Sequence, residues 1–512
     1  MKPKNKGGTA LLSRNPWNLT AGLILVTAAV LTAAHWPVFP YFLDSYYHLA
    51  VIRGFAQAGG PVLHAFWEAA PQGRPHLYPP LFHLIFFHGT LTGMPFIQLA
   101  RFWTWVSFPL LLAAAWMALI RLTSPRLACL ALITLATPYS FFLGTINHLP
   151  ATLALVAGLG MMVALHRKRW LSGGLFLAAA FWLHAGLPWL LALSLLLFSL
   201  VEREYRKSCW AILGVGLLAA GPWLLHLWNY HSLLQIQPRG EELLLETPLP
   251  LLLLGLWGLP IAWRRKGMFR YLAVMAVAFS AMFFAGYRSR FLSTQGLFPW
   301  LLLAAVALDW LIERIRQPWA GGLLLAGLAL LSPSLHFSPG QTTAPHVAWA
   351  DTTLSTLSGG VRPTVRGTGL PVYNEKFMEE LAEAVRAHTE PDELIYSNVN
   401  YLAGMMTAFT GRSATNQMLR EMADRPAGEQ IPQARLILWI KELSGKRSPK
   451  MEEAVVEYHL RPLAETQIAY LFLNLHPKGR RHVTPAVFPW WAASCAILLA
   501  AVAAAWDLSR PS

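Results

Sequence analysis

Cysteine is scarce in this chain: three residues, at 129, 209 and 495, stand far apart, in or at the edge of apolar runs and without metal-type spacing. That pattern predicts no structural disulfide and no cysteine-held metal. Charge is scarce as well, at 13% of 512 residues, and is unbalanced, with 41 basic against 26 acidic side chains. A net charge of +15 can mark a nucleic-acid partner. Here the excess sits mostly in short loops between apolar blocks, with some in the last polar segment, so topology and anionic lipid headgroups account for it. No nucleotide-binding glycine loop and no internal repeat occur. Asn18-Leu19-Thr20 matches a glycosylation sequon but falls at the end of an apolar block, where chance explains it.

What the chain has in abundance is apolar sequence, 55% of residues, gathered in long blocks unlike the short amphipathic stripes of a soluble core. Blocks at 18–36, 97–121, 127–143, 149–166, 208–228, 269–287, 291–312, 319–335 and 487–506 are long enough to cross a bilayer, and shorter ones lie at 170–184, 186–201 and 249–263. Lys and Arg cluster at Lys2 to Lys6, Arg121 with Arg126, His166 to Arg169, Arg203 to Lys207, Arg264 to Lys266, and Arg314 with Arg316. All fall on one side if the chain crosses about twelve times with both ends in the cytoplasm. The condition is that the apolar stretch 78–93 does not span, so it reads as a re-entrant or interfacial helix. The first block has no small-residue cleavage site and reads as an uncleaved signal anchor.

The expected fold class is an all-α polytopic membrane bundle of about twelve helices carrying a small extracytoplasmic α/β domain. Its parts are a transmembrane domain over 1–335 that includes a long external loop at 37–96, an external linker and α/β domain over 336–486, and a last helix with a short cytoplasmic tail over 487–512. In the polar segment a Pro, Thr, Ser and Gly-rich linker at 338–371 precedes helical patterns at 374–389, 399–409 and 450–459. Strand-like or apolar runs lie at 394–396, 434–440 and 467–474.

The residues with chemistry to offer lie beside the blocks. After the first block come Asp44-Ser45-Tyr46-Tyr47-His48 and an amphipathic helix, then Tyr78-Pro79-Pro80-Leu81-Phe82-His83 opening a juxtamembrane helix. This ordered set resembles the first external loop of GT-C class membrane glycosyltransferases, the superfamily of the protein mannosyltransferases and of the oligosaccharyltransferase catalytic subunit with its archaeal and bacterial relatives. In that family the Tyr-Pro-Pro helix lies outside the membrane, which agrees with the independent count of basic loops.

The resemblance implies sugar transfer from a polyprenyl-phosphate-linked donor to an extracytoplasmic glycan, lipid or protein, with inversion. It makes Asp44 the catalytic carboxylate, as general base or as ligand to a divalent metal such as Mg or Mn. A helix-capping aspartate is the plainer alternative. His48, one turn on, is placed in the same catalytic site, and Tyr78 and His83 are assigned to substrate contact. The family's second motif is an acidic pair after a glycine in the next external loop. Here Gly144-Thr145-Ile146-Asn147-His148-Leu149-Pro150 offers Asn147 and His148 as metal ligands, with Leu149 where a carboxylate is expected. A neutral pair attracts a hard dication less well than two carboxylates, so a metal-free transferase and an inactive copy stay open beside a metal enzyme.

A third external loop carries Glu241 and Glu242, read as sugar-binding or metal-completing residues or else as a solvated loop face. Arg288 and Arg290, in the turn Gly286-Tyr287-Arg288-Ser289-Arg290, break the positive-inside bias and suit a lipid phosphate, against a reading as snorkelling side chains. The long loop with a Thr-x-x-Glu-like motif found in oligosaccharyltransferases has no counterpart. Their Trp-Trp-Asp acceptor motif is echoed only by Trp349-Ala350-Asp351, so protein N-glycosylation is the weaker enzyme reading. A transporter or a partner-binding scaffold on the same frame is the alternative from outside enzymology; a transporter would place ionisable groups near the bilayer midplane.

Overall fold

The structure is a computed structural model that describes residues 15–40, 44–90, 92–234, 245–315, 317–330, 332–337, 346–350, 352–358, 375–418, 426–441, 448–487 and 489–509. Proline and small polar residues set where its helices begin. Asn15 accepts a hydrogen bond from the Trp17 amide (3.0 Å) ahead of Pro16, and Ser124 accepts from the Leu127 amide (3.2 Å) ahead of Pro125. In chain order the bundle helices are α1 (Pro16–Ala34), α2 (Asp44–Ala58), α3 (Leu81–Thr90), α4 (Phe96–Leu122), α5 (Pro125–Ala136), α6 (Tyr139–Asn147) and α7 (Leu149–His166). There follow α8 (Trp170–Leu183), α9 (Leu187–Val201), α10 (Arg206–Asn229), α11 (Leu249–Arg264), α12 (Met268–Phe279), α13 (Phe298–Ile312) and α14 (Pro318–Leu330). The chain is an integral membrane protein: five helical stretches, Pro16–Ala34, Phe96–Leu122, Leu149–His166, Arg203–Asn229 and Gln295–Ile312, are long and apolar enough to cross a bilayer. Shorter apolar helices fill the rest of the bundle.

Several apolar blocks are broken where hydropathy reads them as continuous. The block 127–143 is two helices, α5 and α6, because Pro138 ends one and caps the next. The block 269–287 breaks at Ser280, between α12 and the single turn Ala281–Phe284, and 291–312 breaks at Thr294, between the short helix Arg288–Ser293 and the stretch Gln295–Ile312 that contains α13. The helix of 319–335 ends at Leu330, and the chain then extends through Ser332–Phe337. By contrast α3 has ten residues, about half a bilayer crossing.

Glycines let the long elements approach closely. Gly173 and Gly174 of α8 receive Ile212 and Val215 of α10, while Gly255 and Gly258 of α11 lie on the backbone carbonyls of Trp300 and Leu303 in α13. A Cβ at Gly258 would stand 2.0 Å from the Leu303 oxygen. We therefore expect Gly258→Ala to destabilise the bundle by about 1–3 kcal/mol, the cost of overpacking. Thermal unfolding in detergent checks this against Gly321→Ala, where the added methyl meets open space.

Charges at one end of the bundle are paired. Arg126, opening α5, bonds Asp309 (2.6 Å) and Glu313 (2.5 Å) at the end of α13, and Arg265 reaches Asp309 at 3.5 Å. Arg270 bonds Glu202 (3.0 Å), Lys168 bonds Glu204 (2.8 Å), and Asp507 of the last helix α18 (Trp490–Ser509) accepts from Ser172 Oγ at 2.6 Å.

The polar segment holds α15 (Glu375–His388), α16 (Asn400–Thr410) and α17 (Pro449–Glu457), close to the helical stretches read from sequence. Seven strands accompany them: β1 (Leu245–Pro248), β2 (Ser332–Phe337), β3 (His346–Ala350), β4 (Ile395–Ser397), β5 (Leu436–Ile440), β6 (Arg461–Glu465) and β7 (Ala469–Leu473). The order β4-β5-β7-β6 forms one sheet, with β4 and β5 parallel and the other pairs antiparallel. Side chains alternate along β5: Leu436 and Leu438 join the core shared with the bundle, while Ile437 and Trp439 join a separate core under α17. A second antiparallel sheet, β1-β2-β3, was absent from the sequence expectation; β2 ends just before the segment 338–371 read as linker, and β3 lies inside it.

Backbone hydrogen bonds join the loop after α2 to this unit. The Ala414 amide donates to Trp67 O (2.9 Å), Ala70 to Ala414 O (3.0 Å) and Ala69 to Asn416 O (2.7 Å). Beside them Glu68 and Arg74, both almost fully buried, pair at 2.6 Å, and Glu68 also accepts from the Met418 amide at 2.7 Å.

Candidate active site

Four segments far apart in sequence meet at the end of the bundle away from those paired charges. Asp44 opens α2, His148 is the single residue between α6 and α7, His184 lies in the turn between α8 and α9, and Arg290 lies in the short helix Arg288–Ser293 before α13. His148 Nδ1 stands 3.7 Å from Asp44 Oδ2. Protein surrounds the Asp44 carboxyl, yet 53% of its side-chain surface is open, the state of a group on the wall of a cleft. Loss of water raises its pKa, but hydrogen bonding and charge from His148, with the charges of His48 and Arg290, outweigh that and hold it below the usual aspartate value. Asp44 is therefore an ionised carboxylate at neutral pH.

Gly144 explains how Arg290 arrives there. A Cβ on Gly144 would lie 2.6 Å from the Thr294 side chain, and Gln295 Nε2 donates to the Gly144 carbonyl (3.3 Å). The glycine thus admits the turn 288–297 against α6.

Behind Asp44 lie buried histidines. His48 Nδ1 is 2.9 Å from His83 Nε2, and burial pushes His48 down to about 4 against the raising effect of Asp44. His83 has no exposed surface; burial, then the charges of His48 and His76, take its pKa well below the usual histidine value. The other ring nitrogen of His83, Nδ1, has no hydrogen-bond partner among the described residues. His76 is also fully buried, its ring 5.7 Å from that of His83.

The other expected site residues separate. Tyr78 is half-buried with its ring 5.1 Å from His48, a wall of the same site. His83, read from sequence as a substrate contact, sits behind His48, because the amphipathic face of α3 that carries it turns inward. Arg288 is exposed with its guanidinium 5.5 Å from the Phe283 ring, and only Arg290 bears electrostatically on Asp44. Asn147 is buried at the end of α6, its Oδ1 without a hydrogen-bond partner among the described residues. Glu241 and Glu242 lie outside the described residues. His184 is a residue that sequence reasoning missed; its signal is its place at the break between two short apolar helices.

The residues around Asp44 do not fit Mg or Mn. Those ions take oxygen ligands, whereas one carboxylate here faces imidazoles and a guanidinium, and among the described residues no three His, Cys, Asp or Glu side chains group closely enough to hold an ion.

No family model matches the chain, and no curated protein matches it. Solved structures do. The oligosaccharyltransferase of Archaeoglobus fulgidus in its apo form aligns with TM-score 0.52 at 11% identity over 78% of this chain. The chain spans 65% of the length of that structure. The same enzyme in complex with Zn and sulfate aligns with TM-score 0.54 at 12% identity, covering 88% of this chain and 73% of that one. ArnT from Cupriavidus metallidurans bound to undecaprenyl phosphate aligns with TM-score 0.52 at 15% identity, covering 89% of this chain and 97% of that one. The fold is thus the one these GT-C glycosyltransferases share, as the first-loop residues led us to expect.

Proposed function

We propose that this protein is a membrane glycosyltransferase that takes a sugar from a polyprenyl-phosphate-linked donor and passes it, with inversion, to an extracytoplasmic glycan, lipid or protein. The observation that carries the reading is the cleft in which an ionised Asp44 lies against His148 with Arg290 bearing on it. Asp44 takes the proton of the acceptor nucleophile as its oxygen or nitrogen bonds to the sugar C1. The bond from C1 to the phosphate oxygen breaks, and its electron pair leaves on the polyprenyl phosphate. Arg290 supplies the positive charge that the departing phosphate needs, and no step is routed through a metal.

On this reading the chain crosses the membrane about twelve times with both ends in the cytoplasm, and the site and the segment 336–486 face outward. The support is that the loops rich in Lys and Arg, among them Arg126, Lys168 and Arg265, gather at the opposite end of the bundle. The clustering of polar groups at one end, not half-way along the helices, counts against a transporter.

Glycan and glycolipid mass profiling of the native host tests the reading. Deleting the gene should remove one sugar unit from an envelope glycan and re-expression should restore it; a profile unchanged by deletion overturns the transferase. Arg290→Gln should raise the KM for the lipid-linked donor about 10–100-fold with a smaller effect on kcat, the worth of one charged hydrogen bond. Arg290→Lys should recover part of it. The same substitution at Arg288 should stay within about threefold, since it faces Phe283.

A further inference from the structure

His184 follows α8 with an extended backbone (φ −146°, ψ 141°) and turns its ring back onto the start of α9. Its Nδ1 accepts from the amides of Gly186 (3.0 Å) and Leu187 (3.1 Å), two of the N–H groups that a helix start leaves unpaired. Pro188, next in line, has no N–H to offer. With two donors aimed at Nδ1, the proton of the neutral ring is on Nε2, the edge away from the turn. Burial, then the charges of Arg290, His148 and His48, hold the imidazole neutral, pushed down to about 3. Nε2 makes no hydrogen bond to any described residue.

We propose that His184 is a catalytic hydrogen-bond donor, its Nε2–H directed at the phosphate oxygen that leaves with the polyprenyl chain. The inference rests on the transferase reading above. As the C1–oxygen bond breaks, negative charge grows on that oxygen, and a donor held by the protein stabilises it without reorienting. No proton is transferred: the acceptor's proton goes to Asp44, the electron pair stays on the phosphate, and His184 remains neutral. A neutral imidazole set against a helix start is suited to this, because the positive helix end opposes its protonation while leaving its N–H free to polarise an oxygen.

His184→Asn separates this role from a structural one. Asn keeps an acceptor near Nδ1 and is itself a good helix cap, so the thermal midpoint should stay within experimental scatter of wild type. Its shorter side chain cannot reach where Nε2–H stood. In nanodiscs, kcat should fall about 10²–10³-fold, the loss typical of one such donor, with donor KM little changed. His184→Gln, which extends an amide N–H further, should recover at least tenfold of that. Affinity for undecaprenyl phosphate alone should also fall about tenfold in the Asn variant, a reading that needs no turnover. Equal kcat and equal lipid-phosphate affinity in wild type and His184→Asn, at equal stability, overturn the inference and leave His184 a helix cap. Undiminished binding of the lipid phosphate to wild type without any turnover would instead count against the transferase reading, and the binding comparison would still decide His184.

Discussion

Asp44→Asn should lower kcat about a thousandfold, in the range expected when a general base is lost, while the protein folds and inserts as wild type does. The separation is clean for a structural reason. Asp44 is the first residue of α2, where a negative charge suits the helix start by a few tenths of a kcal/mol to about 1 kcal/mol, and Asn has nearly the same shape. What Asn lacks is the charge that His148, His48 and Arg290 hold in place. Initial rates measured on membranes carrying matched amounts of each protein, with lipid-linked donor in excess, read the difference. A variant within threefold of wild type would make Asp44 a helix cap and withdraw the chemistry assigned to it.

The second large effect concerns stability. Glu68→Ala should cost about 3–5 kcal/mol, because removing one partner of a buried ion pair strands the other. Arg74 lies 2.6 Å from Glu68, with side-chain exposures of 4% and 0% respectively. Its guanidinium would keep Tyr47 as a partner but lose its counter-charge, and the Met418 amide would lose its acceptor. Chemical unfolding in detergent measures the loss. Replacing both residues, as in Glu68→Ala with Arg74→Met, should recover a substantial part of it, since an apolar pair strands no charge. A single variant within about 0.5 kcal/mol of wild type would mean that water reaches Arg74.

Much of this was legible in the sequence, for reasons that differ between parts. Helices α1, α4, α7 and α10 were read within a few residues of their ends because a run of twenty apolar residues has few alternatives. The breaks at Pro138, Ser280 and Thr294 were missed, since a window that averages hydropathy is insensitive to one residue in it. Asp44, His48 and Tyr78 could be found because they sit in one contiguous loop. Arg290 reaches them only through the contact of Gly144 with Thr294, and His184 only through a turn whose hydrogen bonds are invisible to composition. His83 was assigned to substrate contact because the stretch Tyr78-Pro79-Pro80-Leu81-Phe82-His83 resembles the family's loop, whereas the face it occupies is decided by the packing of α3 on α2. The sheet β1-β2-β3 joins Leu245–Pro248 to segments some ninety residues later, a pairing that no local pattern announces.

The hydrogen bonds between residues 67–70 and 414–416 have a consequence for the protein's descent. Segments that share a ladder register cannot drift separately, because an insertion in either would misalign both. A hybrid chain with 37–96 from one relative and 375–487 from another would inherit half of each ladder and a Glu68 facing a foreign segment in place of the Met418 amide. We therefore expect substitutions in the two segments to be coupled, and on the transferase reading a change of acceptor would come by point substitution around Asp44, not by exchange of the outer unit as a module.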